Sequence, residues 1–327
     1  MLAVLAPSLW HWSAFLACVL VFLALDLGVF HRHAHVVRFR EAISWTAVWV
    51  ALALFFGFVL APSTVAGWAR RETVEFLTGY IVELSLSMDN VFVIALLFTY
   101  FRVPARYQHR VLFWGILGAL VMRGVMIGAG AALISRFQWT LYLFGLFLIV
   151  TAIKMLVVAE EGVHPEKNPV IRLARKLFPV APDFDGQKFT TRLNGRLALT
   201  PLALVLVVVE TTDLIFAVDS IPAIFAITDK PFIIFTSNVF AILGLRSLYF
   251  ALAGAMQYFR YLKVGLACVL AFIGLKMLLD PHGEAKFFWQ LKLSSGVSLA
   301  VVGGILLLAM TASMLAGWRE KRAARRA

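Results

Sequence analysis

Apolar positions in this chain come in long unbroken blocks. They do not alternate with polar ones at the period of a half-buried strand or follow the one-sided stripe of a soluble helix. Nine blocks can be marked: Trp10 to Phe30, Ala42 to Ala61, Val74 to Phe101, Val111 to Ser135, Trp139 to Ala159, Leu197 to Thr228, Phe232 to Met256, Tyr261 to Leu279 and Val297 to Trp318. About 20 consecutive apolar residues suffice to cross a bilayer as a helix. In hydrocarbon a helix satisfies every backbone polar group within its own segment. The pattern therefore predicts an all-α polytopic membrane protein with about nine transmembrane helices.

Composition strengthens that reading. Of 327 residues, 61% are hydrophobic and 15% charged, and the mean hydropathy is +0.88. A soluble protein of this length needs polar surface on most of its helices. The net charge of +12 suggests nucleic acid until the basic residues are placed. Alternate connections hold Arg32, Arg38 and Arg40, then Arg102, Arg106 and Arg110, then seven from Lys167 to Arg196, then Arg260 and Lys263, then five from Arg319 to Arg326. That set totals 20 basic residues, against 6 in the opposite set. Cytoplasmic loops carry such an excess. The expected orientation has the N-terminus outside and the C-terminus in the cytoplasm, with no nucleic-acid partner. The first block has no basic residues before it and is too long for a cleavable signal peptide. Cys18 and Cys268 both fall inside apolar blocks, where they read as small packing residues rather than a disulfide or a thiolate metal site.

The longest connection runs from about 160 to 196. Within it, PVIRLARKLFP puts Val170, Ile171, Ala174, Leu177 and Phe178 on one helical face and Arg172, Arg175 and Lys176 elsewhere, predicting an amphipathic helix on the membrane surface. The connection separates two similar sets of three spans. The first set carries Glu83 and Asp89, then Arg123 in GALVMRGVM, then Lys154 in TAIKMLVV. The second carries Asp213 and Asp219, then Arg246 in AILGLRSLY, then Lys276 in FIGLKMLLD. Because each set has an odd number of spans, the two are expected to be inverted repeats, a common plan in secondary transporters, whose sites lie near mid-membrane. The expected units are 1–61 (two N-terminal spans), 74–159 (first repeat), 160–196 (linker), 197–279 (second, inverted repeat) and 280–327 (a last span and basic tail).

Ionisable groups inside a membrane are expensive and point to function. Here they are Asp26, Glu83, Asp89, Glu210, Asp213 and Asp219, with Arg123, Lys154, Arg246 and Lys276 as charge partners. Glu83, Ser87 and Asn90 share a helical stripe, as do Asp213 and Ser220, and Glu210 lies one turn from Asp213. Asp89 and Asp219 lie about 120° around a straight helix from their partner acids. Either the acids of a motif have different partners, or the helix breaks between them. Pro222, which leaves the Val218 carbonyl without its helical donor, offers a cause for a break in the second motif only. The candidate ligands Asp89, Asn90, Asp219, Glu210, Asp213, Glu83, Asn238 and Ser220 all offer oxygen, which suits Mn²⁺, Mg²⁺ or Ca²⁺ better than softer ions. The plainer alternative is structural: Glu83 with Arg123, and Asp213 with Arg246, as ion pairs that fix helix packing. Lys154 and Lys276 could snorkel to an interface. HRHAH, His31 to His35, could capture metal but more simply makes a polar loop. No HExxH, GxSxG or nucleotide-binding loop accompanies the acids, so neither an enzyme nor an ATP-driven pump is expected.

ELSLSMDNVFV (83–93), ETTDLIFAVDSIPAIFAIT (210–228) and TSNVFAILGLRSLYF (236–250) resemble the TerC family of integral membrane proteins, including its Alx-like members. ALDLGVFHRH (24–33) and EAISWTAVWVALAL (41–54) support the resemblance, which covers nearly the whole chain. It implies a place in the LysE-like transporter group and Mn²⁺ efflux. By position, it assigns Asp89 and Asn90 to a first acidic motif and Glu210, Asp213 and Asp219 to a second. The resulting expectation is a secondary transporter that exports a divalent cation, Mn²⁺ first, by proton exchange, with no tightly bound cofactor. The alternative is a membrane-embedded assembly or metal-loading partner of exported proteins, linked to the tellurium resistance for which the family is named. An acid-rich site gives no chemistry for a tellurium oxyanion.

Overall fold

The structure, a computed structural model, describes residues 7–25, 39–157, 169–193, 195–253, 261–279 and 293–324. Asp26 and His31 to His35 lie outside the described residues. The helices are α1 (Leu9–Leu25), α2 (Phe39–Phe55), α3 (Ala61–Thr64), α4 (Arg70–Tyr100), α5 (Ala105–Arg136), α6 (Thr140–Val157), α7 (Pro169–Leu177), α8 (Pro201–Phe225), α9 (Pro231–Ala253), α10 (Leu262–Leu279) and α11 (Ser295–Ala324). Among the described residues eight helical segments are long and apolar enough to span a bilayer, and α1 is a shorter apolar helix. The protein is thus an all-α polytopic membrane protein. One of the eight segments joins α2 to α3 through a π-helical turn, Phe56–Leu60. Gly57 lies in that turn because the Phe76 ring lies where its Cβ would be, 2.8 Å away.

Local chemistry sets the helix ends. At the start of α4 the Glu72 carboxylate accepts from the Ala69 amide at 3.0 Å, satisfying a donor the helix itself cannot use. After α4, Arg102 takes a left-handed conformation (φ 51°) and the Val103 amide reaches back to the Phe98 carbonyl at 2.8 Å. Pro104 then precedes α5. Thr200 caps α8 and Pro201 occupies its first turn, where a missing N–H costs nothing.

The linker carries the amphipathic helix as α7. Ile171 is buried, while Val170, Leu173, Leu177 and Phe178 are exposed. It also leads into a short hairpin that the apolar pattern did not predict: β1 (Thr190–Leu193) pairs antiparallel with β2 (Arg196–Leu199), the end of which lies in the sixth apolar block. The span therefore begins at Pro201 rather than Leu197. Asp185 accepts from Thr191 at 2.9 Å and from Lys188 at 3.1 Å, and these two bonds hold its carboxyl below the usual range.

Helix pairings run between the two sets rather than within them: α6 packs on α10, α4 on α9, α5 on α8, α4 on α8 and α5 on α9. Exchanging the sets maps these five pairings onto one another. Helix α9 is enclosed almost throughout, with α2 on its outer side. Helices α6 and α10 approach most closely at two glycines. A Cβ on Gly274 would lie 2.7 Å from the Gly145 carbonyl oxygen, and small residues at such contacts let membrane helices meet backbone to backbone.

Candidate functional site: a buried arginine beside an acid-lined cavity

Helices α4, α5, α8 and α9 enclose a polar cluster within the apolar interior. At its centre Arg123, 2% exposed, donates to Glu83 through Nη1 and to Asp213 through Nη2 at 3.1 Å and Nε at 3.4 Å. Nη1 also faces Ser220 Oγ at 3.3 Å and Asn238 Oδ1 at 3.5 Å. A second ring of donors fixes the carboxylates. Asn238 Nδ2 donates to Glu83 at 3.0 Å, Ser87 to Glu83 at 3.3 Å, and Asn90 Nδ2 to Asp213 at 3.2 Å. Glu83, Asn90, Asn238 and Ser220 are all buried. Two carboxylates facing one guanidinium leave the cluster with one net negative charge if all three are ionised.

The other two motif acids turn elsewhere. Helices α4 and α8 run unbroken through both motifs, and Pro222 is absorbed in the last turn of α8. Asp89 and Asp219 therefore project about 120° from Glu83 and Asp213, as a straight helix requires. Both line one cavity of about 680 Å³, together with Thr151 and Lys154 of α6. Thr151 donates to Asp219 at 3.2 Å. Asn90, Ser220 and Arg123 line the same cavity, so the ion cluster forms part of its wall.

The remaining expected site residues are dispersed. Asp213 pairs with Arg123, not with Arg246, which corrects the pairing the repeat suggested. Arg246 lines a separate small cavity with Trp45, Trp49 and Ser247. Glu210 packs its carboxylate onto α5 at Gly118, where any Cβ would overlap it. Lys276 does not snorkel: it is buried and donates to the Ala226 carbonyl at the end of α8, at 3.0 Å. Lys154 is exposed at the cavity. Among the described residues, no three His, Cys, Asp or Glu side chains are grouped closely enough to hold a metal ion.

One cluster escaped the sequence reading. At the start of α4, Lys230 bridges Glu72 at 2.6 Å and Glu75 at 3.0 Å, and Thr228 donates to Glu75 at 2.8 Å. Glu75 is 1% exposed and also pairs with Arg71. The signal was available in Glu72 and Glu75, one turn apart, opposite the basic loop residue Lys230. Glu75 falls inside the third apolar block and Glu72 just before it, so the pair straddles the start of that block.

Fold and site together define a polytopic helical membrane protein with ionisable side chains gathered between its spans. Residues 68–323 match the family described as the integral membrane protein TerC family, and the chain belongs to that family. It is 50% identical over 304 residues to an uncharacterized membrane protein of Myxococcus xanthus, covering 93% of this chain and 92% of the relative. It is 44% identical over 316 residues to Alx of Escherichia coli (strain K12), provisionally described as a membrane-bound redox modulator, covering 95% and 96%. An uncharacterized membrane protein of Rickettsia felis is 39% identical over 304 residues, covering 93% and 97%. No solved structure matches.

Proposed function

We propose that this protein is a secondary transporter, not an enzyme, that exports a divalent metal cation from the cytoplasm across the bacterial inner membrane, with Mn²⁺ the leading cargo and protons the counter-ion. The observation that carries the reading is the shared cavity: Asp89 and Asp219, at equivalent places in the two sets of spans, line one cavity to whose wall Arg123, Asn90 and Ser220 also contribute. A carboxylate pair with amide and hydroxyl oxygens nearby suits a hard divalent ion that keeps part of its water shell. The family resemblance supplies Mn²⁺ and the export direction. The exchange of helix pairings between the two sets supports an inverted repeat, the arrangement on which alternating access is built. The basic loops support an N-terminus outside and a C-terminus inside. In this reading Asp89 and Asp219 bind the ion first, Lys154 balances Asp219 when the cavity is empty, and proton return resets the carboxylates.

The test has two arms. Cells carrying the wild type should clear Mn²⁺ after a challenge, and cells carrying Asp89→Asn with Asp219→Asn should retain it. Purified protein in vesicles should move Mn²⁺ against a pH gradient. Equal clearance by the double variant refutes the site. Absence of flux in vesicles, with a defined exported protein copurifying, supports a metal-loading partner instead.

A further inference from the structure

We propose that the oxygen cage around Arg123 is a second cation seat, filled by the protein's own guanidinium when no cargo is present, and that cargo and guanidinium exchange places across the cavity wall. The inference rests on the transport reading above and assigns that site an internal competitor.

Three observations carry it. First, the donors around the guanidinium would serve a hard metal ion equally well. Glu83 Oε1, both Asp213 oxygens, Ser220 Oγ and Asn238 Oδ1 surround the guanidinium, and the neighbouring groups fix both carboxylates, Asn238 Nδ2 donating to the second Glu83 oxygen. Such a set of oxygens is what Ca²⁺ or Mn²⁺ coordination uses. Second, the seat is incompletely matched by its arginine. One guanidinium faces two carboxylates, and the Asn90 side chain, 3% exposed and held against Asp213 by its own amide nitrogen, leaves Oδ1 buried without a hydrogen-bond donor. A buried acceptor left unmatched is costly, so the polar set around the guanidinium is not fully satisfied in this arrangement. Third, Arg123 has somewhere to go. It borders the cavity that Asp89 and Asp219 line, and that cavity is the space into which its long side chain would turn.

The exchange is then charge-balanced. An ion held by Asp89 and Asp219 moves inward to Glu83 and Asp213, while the guanidinium moves outward to the acids the ion has left. No carboxylate pair is stranded without a cation, which in a dry interior would be strongly unfavourable. Glu83 matches Asp213 and Asp89 matches Asp219 in the repeat, so each acid pair joins the two halves of the molecule.

The experiment is Mn²⁺ binding to purified full-length protein in detergent, followed by electron paramagnetic resonance of the free ion. Arg123→Met removes the competitor, and Arg123→Lys keeps the charge but loses the fork that engages both acids at once. Arg123→Met is expected to bind Mn²⁺ at least about ten-fold tighter than wild type, within the usual range of coupling between ligands. Arg123→Lys should fall between the two and decides the matter if Arg123→Met does not fold. Adding Asp89→Asn with Asp219→Asn to either variant should leave tight binding in place, whereas adding Glu83→Gln should abolish it. Wild-type affinity in both Arg123 variants, or tight binding that needs Asp89 and Asp219 rather than Glu83, overturns the exchange while leaving the transport reading standing. No Mn²⁺ binding by wild type or variants overturns both.

Discussion

At the residue scale, one side chain organises the site. Arg123 draws together Glu83 and Asp213, which lie 130 residues apart on different helices. The divergence within each acidic motif was legible beforehand, because six residues on a straight helix rotate a side chain to another face. The partner of Asp213 was not: Arg123 and Arg246 have similar sequence contexts, and nothing local says which of them faces α8. Glycine choice belongs to the same scale. A Cβ on Gly265 would lie 2.6 Å from the Cβ of Ala309, which no rotamer change can move, whereas a Cβ on Gly128 meets nothing within 4 Å. Gly265→Ala is expected to destabilise the protein by about 1–3 kcal/mol, as overpacking does. Gly128→Ala should be neutral or stabilising by up to about 1 kcal/mol from helix propensity. Thermal unfolding of both variants in detergent checks the contrast, and equal melting temperatures would contradict it.

At the element scale, the pairing of α6 with α10 fixes the far side of the cavity. Phe147, Val150, Thr151 and Lys154 of α6 and Leu270 of α10 all line it, and the two helices meet where Gly145 faces Gly274. Because the obstructing atom at Gly274 is backbone, no rotamer change can relieve a larger residue there. Gly274→Val should push the helices apart, lower the melting temperature and slow Mn²⁺ flux in vesicles, and unchanged values of both would show that the contact is dispensable. The linker helix allows a separate test. In α7, Leu173 and Leu177 are exposed beside Arg172, Arg175 and Lys176, while Ile171 is packed inward. That arrangement suits a helix lying at an anionic bilayer surface. The fluorescence of Leu173→Trp, measured against a variant control that retains the native tryptophans, should be quenched by brominated lipid. Emission insensitive to brominated lipid would place α7 in water.

At the scale of the whole molecule, the parity of crossings decides the topology. Among the described residues eight segments are long enough to span, and α1, with 17 residues and an apolar sequence, extends about 26 Å at the helical rise. If α1 crosses, the two termini lie on opposite sides of the membrane. Reporter fusions at each end, or impermeant labelling of single cysteines placed there, should find the N-terminus outside and the C-terminus in the cytoplasm. Both termini on one side would show that α1 lies along the interface and would reverse the predicted orientation of one end.

What the sequence determined alone follows from local physics. Hydrocarbon demands long apolar helices, so the spans could be read directly, and charged side chains within them stand out because each is costly there. The two acidic motifs, the similarity of the two sets of spans and the family resemblance all lay in runs of adjacent residues. The tertiary structure alone decided which helices face each other. That choice sent Asp213 to Arg123, brought Asp89 and Asp219 to one cavity, buried Lys276 against the end of α8 and gathered Glu72 and Glu75 around Lys230. The physical reason is that a side chain's direction around its helix depends on local backbone geometry, whereas the group it meets depends on packing between helices far apart in the chain.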